Sequence, residues 1–387
     1  MSSLIALGDC TDRCRTWNPA VDDPSGKFSY IDLSSVDKVT KRIESAVTVD
    51  CSDAPSRARQ LVKAGDILVS TVRPNLNGVA VVPSELDGAT ASTGYTVLRP
   101  RVDTIDGSYL FHWVKHPLFV DEMVRLAAGA SYPAVSDKIV RAAAVPLPPL
   151  SKQRRIAAIL DKADALRAKR RVAIAKLDQL LQSVFLEMFG DPVTNPRGWP
   201  VGKLADLGEL DRGVSRHRPR GAPELLDGDH PLIQTGDVAR SGGYIREFKT
   251  TYSDVGLAQS KKWPMGTLCI TIAANIADTG ILTFDACFPD SVVGFTASEA
   301  SSAEFVQSLM SFLREILEAR APQVAQKNIN LAILRELPVP IPPVGKQKQW
   351  ASFATRVERM KQSFRIAEDC GSKLFASAQR DGFTGAL

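Results

Sequence analysis

The pattern of apolar and polar positions is most regular between Val145 and Phe189. A proline-rich approach, Val145-Pro146-Leu147-Pro148-Pro149, leads into nearly forty residues with neither proline nor glycine, built mainly of good helix formers. Ile156, Leu160 and Ala163, then Ile174, Leu177, Leu181, Val184 and Met188, recur at alternating steps of four and three. That is heptad spacing, and it predicts a helix of roughly 58 Å whose apolar stripe needs a partner helix. The prolines fix an extended approach, Ser151 is placed to be the N-cap, and Gly190 with Pro192 ends the element.

The partner is written later in the same chain. Displaced by 194 positions, Val145-Pro146-Leu147-Pro148-Pro149 falls on Val339-Pro340-Ile341-Pro342-Pro343, and Lys152-Gln153 on Lys346-Gln347. The match runs without a gap for about fifty residues, and the second copy keeps a stripe at Trp350, Ala354, Val357, Phe364 and Phe375, weakened by Gly371.

Before each helix lies a region that reads as mixed α/β. In the first, Phe28 to Val36 and Leu61 to Val82 are β-rich, Gly65 opens a turn into a buried strand, Leu110 to Leu126 reads as a helix, and Gly129 to Pro133 as a loop. The second repeats this order: Leu7-Gly8-Asp9 matches Leu207-Gly208-Glu209 and Thr93-Gly94-Tyr95-Thr96 matches Val293-Gly294-Phe295-Thr296, both displaced by 200. Tyr30-Ile31 and Val36 match Leu232-Ile233 and Val238 at 202. The expected fold is α+β, two α/β domains in tandem (1–145 and 191–338) separated by two long helices (146–190 and 339–387) packed as an antiparallel coiled coil with pseudo-two-fold symmetry. A ligand touched by both domains must itself be long and repetitive, which points to duplex DNA.

Composition narrows the class. With 387 residues, 44% hydrophobic and 24% charged, the chain is too long for one core. No stretch approaches the roughly 20 apolar residues of a membrane span, nothing resembles a signal peptide, and six unpatterned cysteines suit free thiols in the cytoplasm. A net charge of +5 permits a nucleic-acid partner.

At this point the residues resemble a known family. Asp191-Pro192-Val193-Thr194-Asn195-Pro196-Arg197-Gly198-Trp199-Pro200, directly after Met188-Phe189-Gly190, is similar to the join between the conserved helix and the second recognition domain in specificity (S) subunits of type I restriction-modification systems. The two proline motifs and the Gly65-Asp66-Ile67-Leu68 turn fit the same family, over nearly the whole chain; the amino-terminal part lacks a copy of the Asn-Pro-x-Gly-Trp motif. The resemblance implies a non-catalytic reader of a bipartite double-stranded DNA site, each recognition domain reading one half and the helix pair fixing the gap. It also implies two methyltransferase (M) subunits, two translocating nuclease (R) subunits that can join them, and no cofactor in this chain, S-adenosylmethionine, ATP and Mg belonging to the partners. A fused or orphan modification system would use the same reader, and a coiled-coil scaffold binding no DNA is the alternative of another class.

The residues that carry chemistry agree with a reader. Asp191-Pro192-Val193-Thr194 lacks the second proline and the aromatic ring of an amino-methyltransferase loop, and no phosphate-cradling or dinucleotide fingerprint occurs. Glu247 and Lys249, with Asp227 and Asp237 upstream, could form a nuclease site only by a stretched spacing; a solvated segment is the simpler reading. His112 and His116 have the i, i+4 spacing of metal ligands without an acid beside them in the sequence, and Cys10 and Cys14 have no second pair, so both read as structural.

Basic and amide-bearing loops carry the binding expectation. In the first domain Arg73, Asn75 and Asn77 follow the Gly65 strand, where rigid backbone can aim guanidinium and amide groups at base edges. Arg212, Arg216, His217, Arg218 and Arg220 form a basic loop in the second domain, in which Asn275 is the counterpart of the first-domain asparagines. Ser131, Tyr132 and Lys138, with Gln326, Lys327 and Asn328, occupy matching loops before the two proline hinges. Arg167 and Arg170 fall on heptad core positions of an unusually basic helix, and with Lys152 and Lys346 they are the candidates for contact with partner subunits.

Overall fold

The computed structural model describes residues 3–217, 219–273, 276–320 and 329–384. The two long helices are Leu150–Phe189 and Val344–Thr384. Two compact units emerge, Met1–Val172 with Arg365–Leu387 and Ala173–Phe364, so each unit takes one α/β domain and part of each long helix.

The first long helix starts two residues earlier than a Ser151 cap would allow. Leu150 is already helical, and the Pro149 carbonyl accepts from the Lys152 and Gln153 amides at 2.9 and 3.0 Å, so Ser151 lies exposed in the first turn. The second start repeats this, with the Pro343 carbonyl accepting from Lys346 and Gln347 at 2.9 and 3.3 Å. Proline suits the position because its ring presets φ for the helix that follows and its carbonyl remains available. Gly190 terminates the first helix as expected, with φ +78 and its amide donating to Leu186 O at 2.8 Å.

Within each unit the helices run antiparallel. In the first, Arg171 Nε meets Glu368 Oε1 at 3.0 Å and the Arg167 guanidinium lies 5.1 Å from the Phe375 ring. In the second, Lys361 Nζ meets Asp178 Oδ1 at 2.7 Å and Phe185 packs edge-on to Trp350 at 5.2 Å. Gly371 does not break the stripe. A Cβ there would stand 2.7 Å from Arg170 Nη1, so the glycine makes room for an arginine on the seam.

The two domains share a strand order. In the first, the strands run Val79–Val81, Ile67–Ser70, Tyr95–Pro100, Thr11–Asp12; in the second, Gly243–Ile245, Thr279–Leu282, Leu268–Thr271, Val292–Ala297, Gly208–Arg212, which is the same order with one strand added. A second sheet also matches, its Lys27–Ile31 strand parallel to Thr90–Ser92 in the first domain and Leu226–Leu232 parallel to Ala286–Cys287 in the second. The displacement between the copies is not constant, however. Gly65 and Gly266 open equivalent turns at φ +87 and +89, but Tyr95 lies opposite Ser70 while Val292 lies opposite Thr271. Tyr95 therefore corresponds to Val292, and the Phe295 expected from sequence is three residues off. Leu7 likewise corresponds to Leu204, their amides donating to Ala143 O and Leu337 O, both at 2.9 Å. Both strands are buried on both faces, and such runs of small and apolar residues match one another at several offsets.

The span Leu110 to Leu126 is two helices, Gly107–Val114 and Pro117–Leu126. Pro117 sits at the first position of the second helix and holds His116 extended at φ −69, ψ 139, as the residue before a proline must be.

The long helices complete the domain cores. Ile156, Leu160 and Phe383 are buried with Tyr109, Trp113 and Val145 in the first unit, as Phe185, Phe189 and Trp350 are with Phe295, Phe305 and Leu309 in the second. Burial of a side chain of this size contributes about 1.5–3 kcal/mol. The glutamine of each Lys-Gln motif is buried at the hinge. Gln153 Oε1 accepts from Asp106 N at 2.8 Å while its Nε2 donates to Pro148 O at 2.8 Å and Thr104 O at 3.1 Å. Gln347 repeats the geometry with Ser301 Oγ at 2.9 Å, Pro342 O at 2.8 Å and Ala300 O at 3.3 Å.

Candidate nucleic-acid interface

In the first domain two loops that are far apart in sequence are brought together. Arg73 N donates to Pro133 O at 2.7 Å, Val135 N donates to Thr71 O at 2.9 Å, and the Arg73 guanidinium lies over the Tyr132 ring at 4.6 Å. Arg73, Asn75, Ser131, Tyr132 and Lys138 are all exposed, Lys138 on the short helix Asp137–Ala142 that follows the loop. Both ends of the Arg73 turn are left-handed, Arg73 at φ 50 and Asn77 at φ 45. Asn77 turns inward, its Nδ2 donating to Val114 O at 2.9 Å and its carbonyl accepting from Lys41 Nζ. The loop therefore has an anchored end and an outward end, and an arginine stacked on an aromatic ring is a planar surface suited to nucleic acid.

The second domain has the same scaffold at this place. Ile329 N donates to Ile272 O at 3.1 Å, the equivalent of the Val135 to Thr71 bond, and Ala277 takes the left-handed position at φ 62 that Asn77 takes in the first domain. Arg218, Asn275, Gln326, Lys327 and Asn328 lie outside the described residues. Of the basic loop, Arg212 donates to Asp290 O at 2.9 and 2.6 Å, Arg220 pairs with the Asp290 carboxylate, and His217 Nε2 stands 3.8 Å from Glu224. Arg216 is exposed, its amide donating to Gln259 Oε1 at 2.6 Å and its guanidinium making no bond among the described residues. Gly213 lets the loop pass: a Cβ would stand 2.3 Å from Phe288 O. Arg212 and Arg220 thus shape the loop through Asp290, and Arg216 projects from it.

A sequence profile of the type I restriction modification DNA specificity domain matches this chain twice, over residues 20–176 and 196–364. The chain belongs to that family. It is a specificity subunit with two tandem recognition domains, a non-catalytic class of protein. Among curated relatives it is 20% identical to the putative type I restriction enzyme MjaX specificity subunit of Methanocaldococcus jannaschii, over 73% of this chain and 69% of that one. It is 27% identical to the EcoDI specificity subunit of Escherichia coli over 37% of this chain and 32% of the relative. Two solved structures share the fold: a chain of a type I R-M system described for complex assembly and conformational transition (TM-score 0.59, 23% identity, covering 100% of this chain and 98% of that one), and the type I S subunit from M. genitalium (0.65, 11%, 99% and 96%).

The remaining candidates of this specificity subunit fall on its helices and loops. Arg167 is half-buried between Phe375 and Asp164, whose Oδ1 its Nη1 meets at 3.3 Å, and Arg170 faces Gly371. Lys152 is partly exposed; Lys346 is exposed and places its ammonium 6.0 Å from the Trp199 ring. Asp237 closes the first turn of Thr235–Arg240 and pairs with Arg240 at 3.0 Å, while Glu247 and Lys249 are exposed in the segment after Gly243–Ile245. His112 has an acid beside it that its sequence neighbourhood does not contain, Asp161 Oδ1 at 2.8 Å from Nε2, but His116 caps the next helix and stacks on Trp113. No group of three or more metal-ligating side chains occurs among the described residues. Cys10 donates to Leu7 O, and burial pushes its thiol up to about 11.

The sequence pattern does not mark Lys41. The signal it offers is a lysine where the other half of the repeat has Gly242, visible only once the strands are aligned in space.

Proposed function

We propose that this chain reads a bipartite double-stranded DNA site for a type I restriction-modification complex, each domain contacting one half. The contacts in the first domain come from Arg73, Asn75, Ser131, Tyr132 and Lys138, with Asn77 as the inward anchor of the loop. In the second they come from Arg216, Arg218, Asn275, Gln326, Lys327 and Asn328, with Arg212, His217 and Arg220 holding the basic loop in shape. The observation that carries this reading is that two domains of one strand order each join the same pair of loops, and the joined loops of the first expose an arginine stacked on a tyrosine. Segments 1–145 and 191–338 are the readers, and 146–190 with 339–387 are the spacer.

Methylation and cleavage belong to M and R subunits, two of each in the full assembly, which bring S-adenosylmethionine, ATP and Mg. Arg167, Arg170, Lys152 and Lys346 are proposed to face the M subunits, and the complex to work in the cytoplasm. No helix among the described residues is long and apolar enough to cross a membrane, and all six cysteines are free thiols.

The test is a domain exchange read by methylome sequencing. Replacing residues Asp191 to Leu337 with the equivalent piece of a relative should change one half of the methylated motif and leave the other half and the gap unchanged. A change in both halves, or in neither, would refute the modular reading. Arg73→Ala should relax recognition in the unexchanged half by about 1–3 kcal/mol per lost base contact.

A further inference from the structure

We propose that Lys41 is a positioning residue that clamps the Arg73–Asn77 loop of the first domain into its reading shape. The proposal rests on that loop being a reader, and the experiment below separates the two.

Lys41 is left-handed, φ 57, and stands directly before the short strand Arg42–Ile43. In the second domain the left-handed residue Gly242, φ 58, stands directly before Gly243–Ile245, the added edge strand paired with Thr279–Leu282. Arg42–Ile43 packs beside Val79–Val81, the first-domain counterpart of Thr279–Leu282, and so holds the same place without joining the sheet. Only glycine occupies such backbone without cost; a side chain with a Cβ loses roughly 1–2 kcal/mol there. A lysine kept at this place must return something through its side chain.

What it returns is visible at the reader loop. Lys41 Nζ donates to the main-chain carbonyl of Asn77, and Asn77 Nδ2 donates to Val114 O at 2.9 Å, so the left-handed end of the loop is held from two sides. A charged donor on a carbonyl, half shielded from water, is stronger than an ordinary hydrogen bond. Where Gly242 replaces lysine, the second domain has instead a cavity of about 380 Å³ lined by Gly242, Gly243, Ala277 and Phe312 among others. The clamp is thus a property of one half of the repeat.

Two charged groups act on Lys41. Lys115, at the end of the helix that supplies Val114, points its ammonium at Asp164 Oδ2 at 2.7 Å; Asp37, on the hairpin of Lys41 itself, accepts from the Val39 and Thr40 amides. Burial first, and Lys115 second, push Lys41 down to about 8, with Asp37 opposing.

The experiment compares Lys41→Gly, Lys41→Met and Lys41→Arg in the full chain. Hydrogen exchange of the Arg73, Leu76 and Asn77 amides is followed in the chain itself, and binding to duplex DNA carrying its methylated motif is followed after assembly with methyltransferase subunits. Lys41→Gly relaxes the backbone while removing the donor, so it remains folded and should speed exchange of these amides and weaken specific binding by about tenfold each. Lys41→Met should do the same, Lys41→Arg should restore both, and only the lysine form should lose affinity as pH rises through about 8. Unchanged exchange in Lys41→Gly overturns the clamp, and so does a salt slope reduced by about one, which would mean that Lys41 touches a phosphate directly. If Arg73→Ala leaves the methylated motif intact while Lys41→Gly still frees the loop, the clamp stands and the assignment of the loop as a reader falls.

Discussion

Replacing Gln153 by leucine keeps nearly the volume and removes every polar atom. Gln153 is 1% exposed and makes three hydrogen bonds, all to main chain: Asp106 N, Pro148 O and Thr104 O. Leucine strands one amide and two carbonyls, and a buried group left unpaired costs about 1–3 kcal/mol, with carbonyls at the low end because their second lone pair is often unused. The expected loss is therefore about 3 kcal/mol. Gln347→Leu strands only the Pro342 and Ala300 carbonyls, because its third partner is the Ser301 hydroxyl, which can rotate to another acceptor. Its expected loss is about 2 kcal/mol. Because the chain has two compact units, a single unfolding midpoint would mix them, so stability should be read by hydrogen exchange on peptides from each unit. A loss under about 1 kcal/mol for Gln153→Leu, or Gln347→Leu costing more than Gln153→Leu, would refute the reading of the Lys-Gln motif as a buried hinge lock.

Gly190→Ala should cost about 2 kcal/mol by hydrogen exchange on peptides of the second unit, since φ is +78 and the added Cβ would stand 2.9 Å from Pro196 Cγ. Gly371→Ala should be neutral or slightly stabilising in the same assay on peptides of the first unit, because the helix gains about 1 kcal/mol of propensity and the obstructing atom is the mobile tip of Arg170; a large loss would mean that Arg170 is rigidly seated. Burial holds both His112 and His116 below the ordinary histidine value, helped at His112 by the Lys115 ammonium and opposed by Asp161. The unfolded chain then binds more protons than the folded one just below pH 6.5, so the first unit should be fully stable above that pH and lose stability as pH falls through it. Hydrogen exchange on first-unit peptides between pH 7 and 5, corrected for intrinsic exchange rates, tests this, and His116→Asn, which can still cap the helix at Pro117, should flatten part of the slope.

Much of the architecture was legible because it is periodic. The heptad stripe and the displacement of 194 name two equivalent helices, and the strand orders of the two domains agree. The register between the copies was not legible. Val97 and Phe295 sit in strands buried on both faces, where neighbouring apolar residues are interchangeable in sequence and only hydrogen bonding distinguishes them. The cap at Ser151 was misplaced because a proline carbonyl can do what a serine hydroxyl does, and composition does not say which wins. At the interface, exposed residues such as Arg73 and Tyr132 could be named from their loops, but their stacking depends on a bond from Arg73 N to Pro133 O that links segments some sixty residues apart. Arg212 and Arg220 show the limit of composition: both are basic and exposed, yet both are committed to Asp290.

Phe375 and Phe383, which pack against the first domain, leave the ribosome only after the whole of the second domain has been made. The first domain must then wait, incompletely walled, while nearly two hundred intervening residues are synthesised, at about 5–20 residues per second. Its nascent form leaves Tyr109, Trp113 and His116 without the Phe383 ring that packs on them for that interval, so maturation of the amino-terminal half is timed by completion of the carboxy-terminal helix rather than by its own sequence.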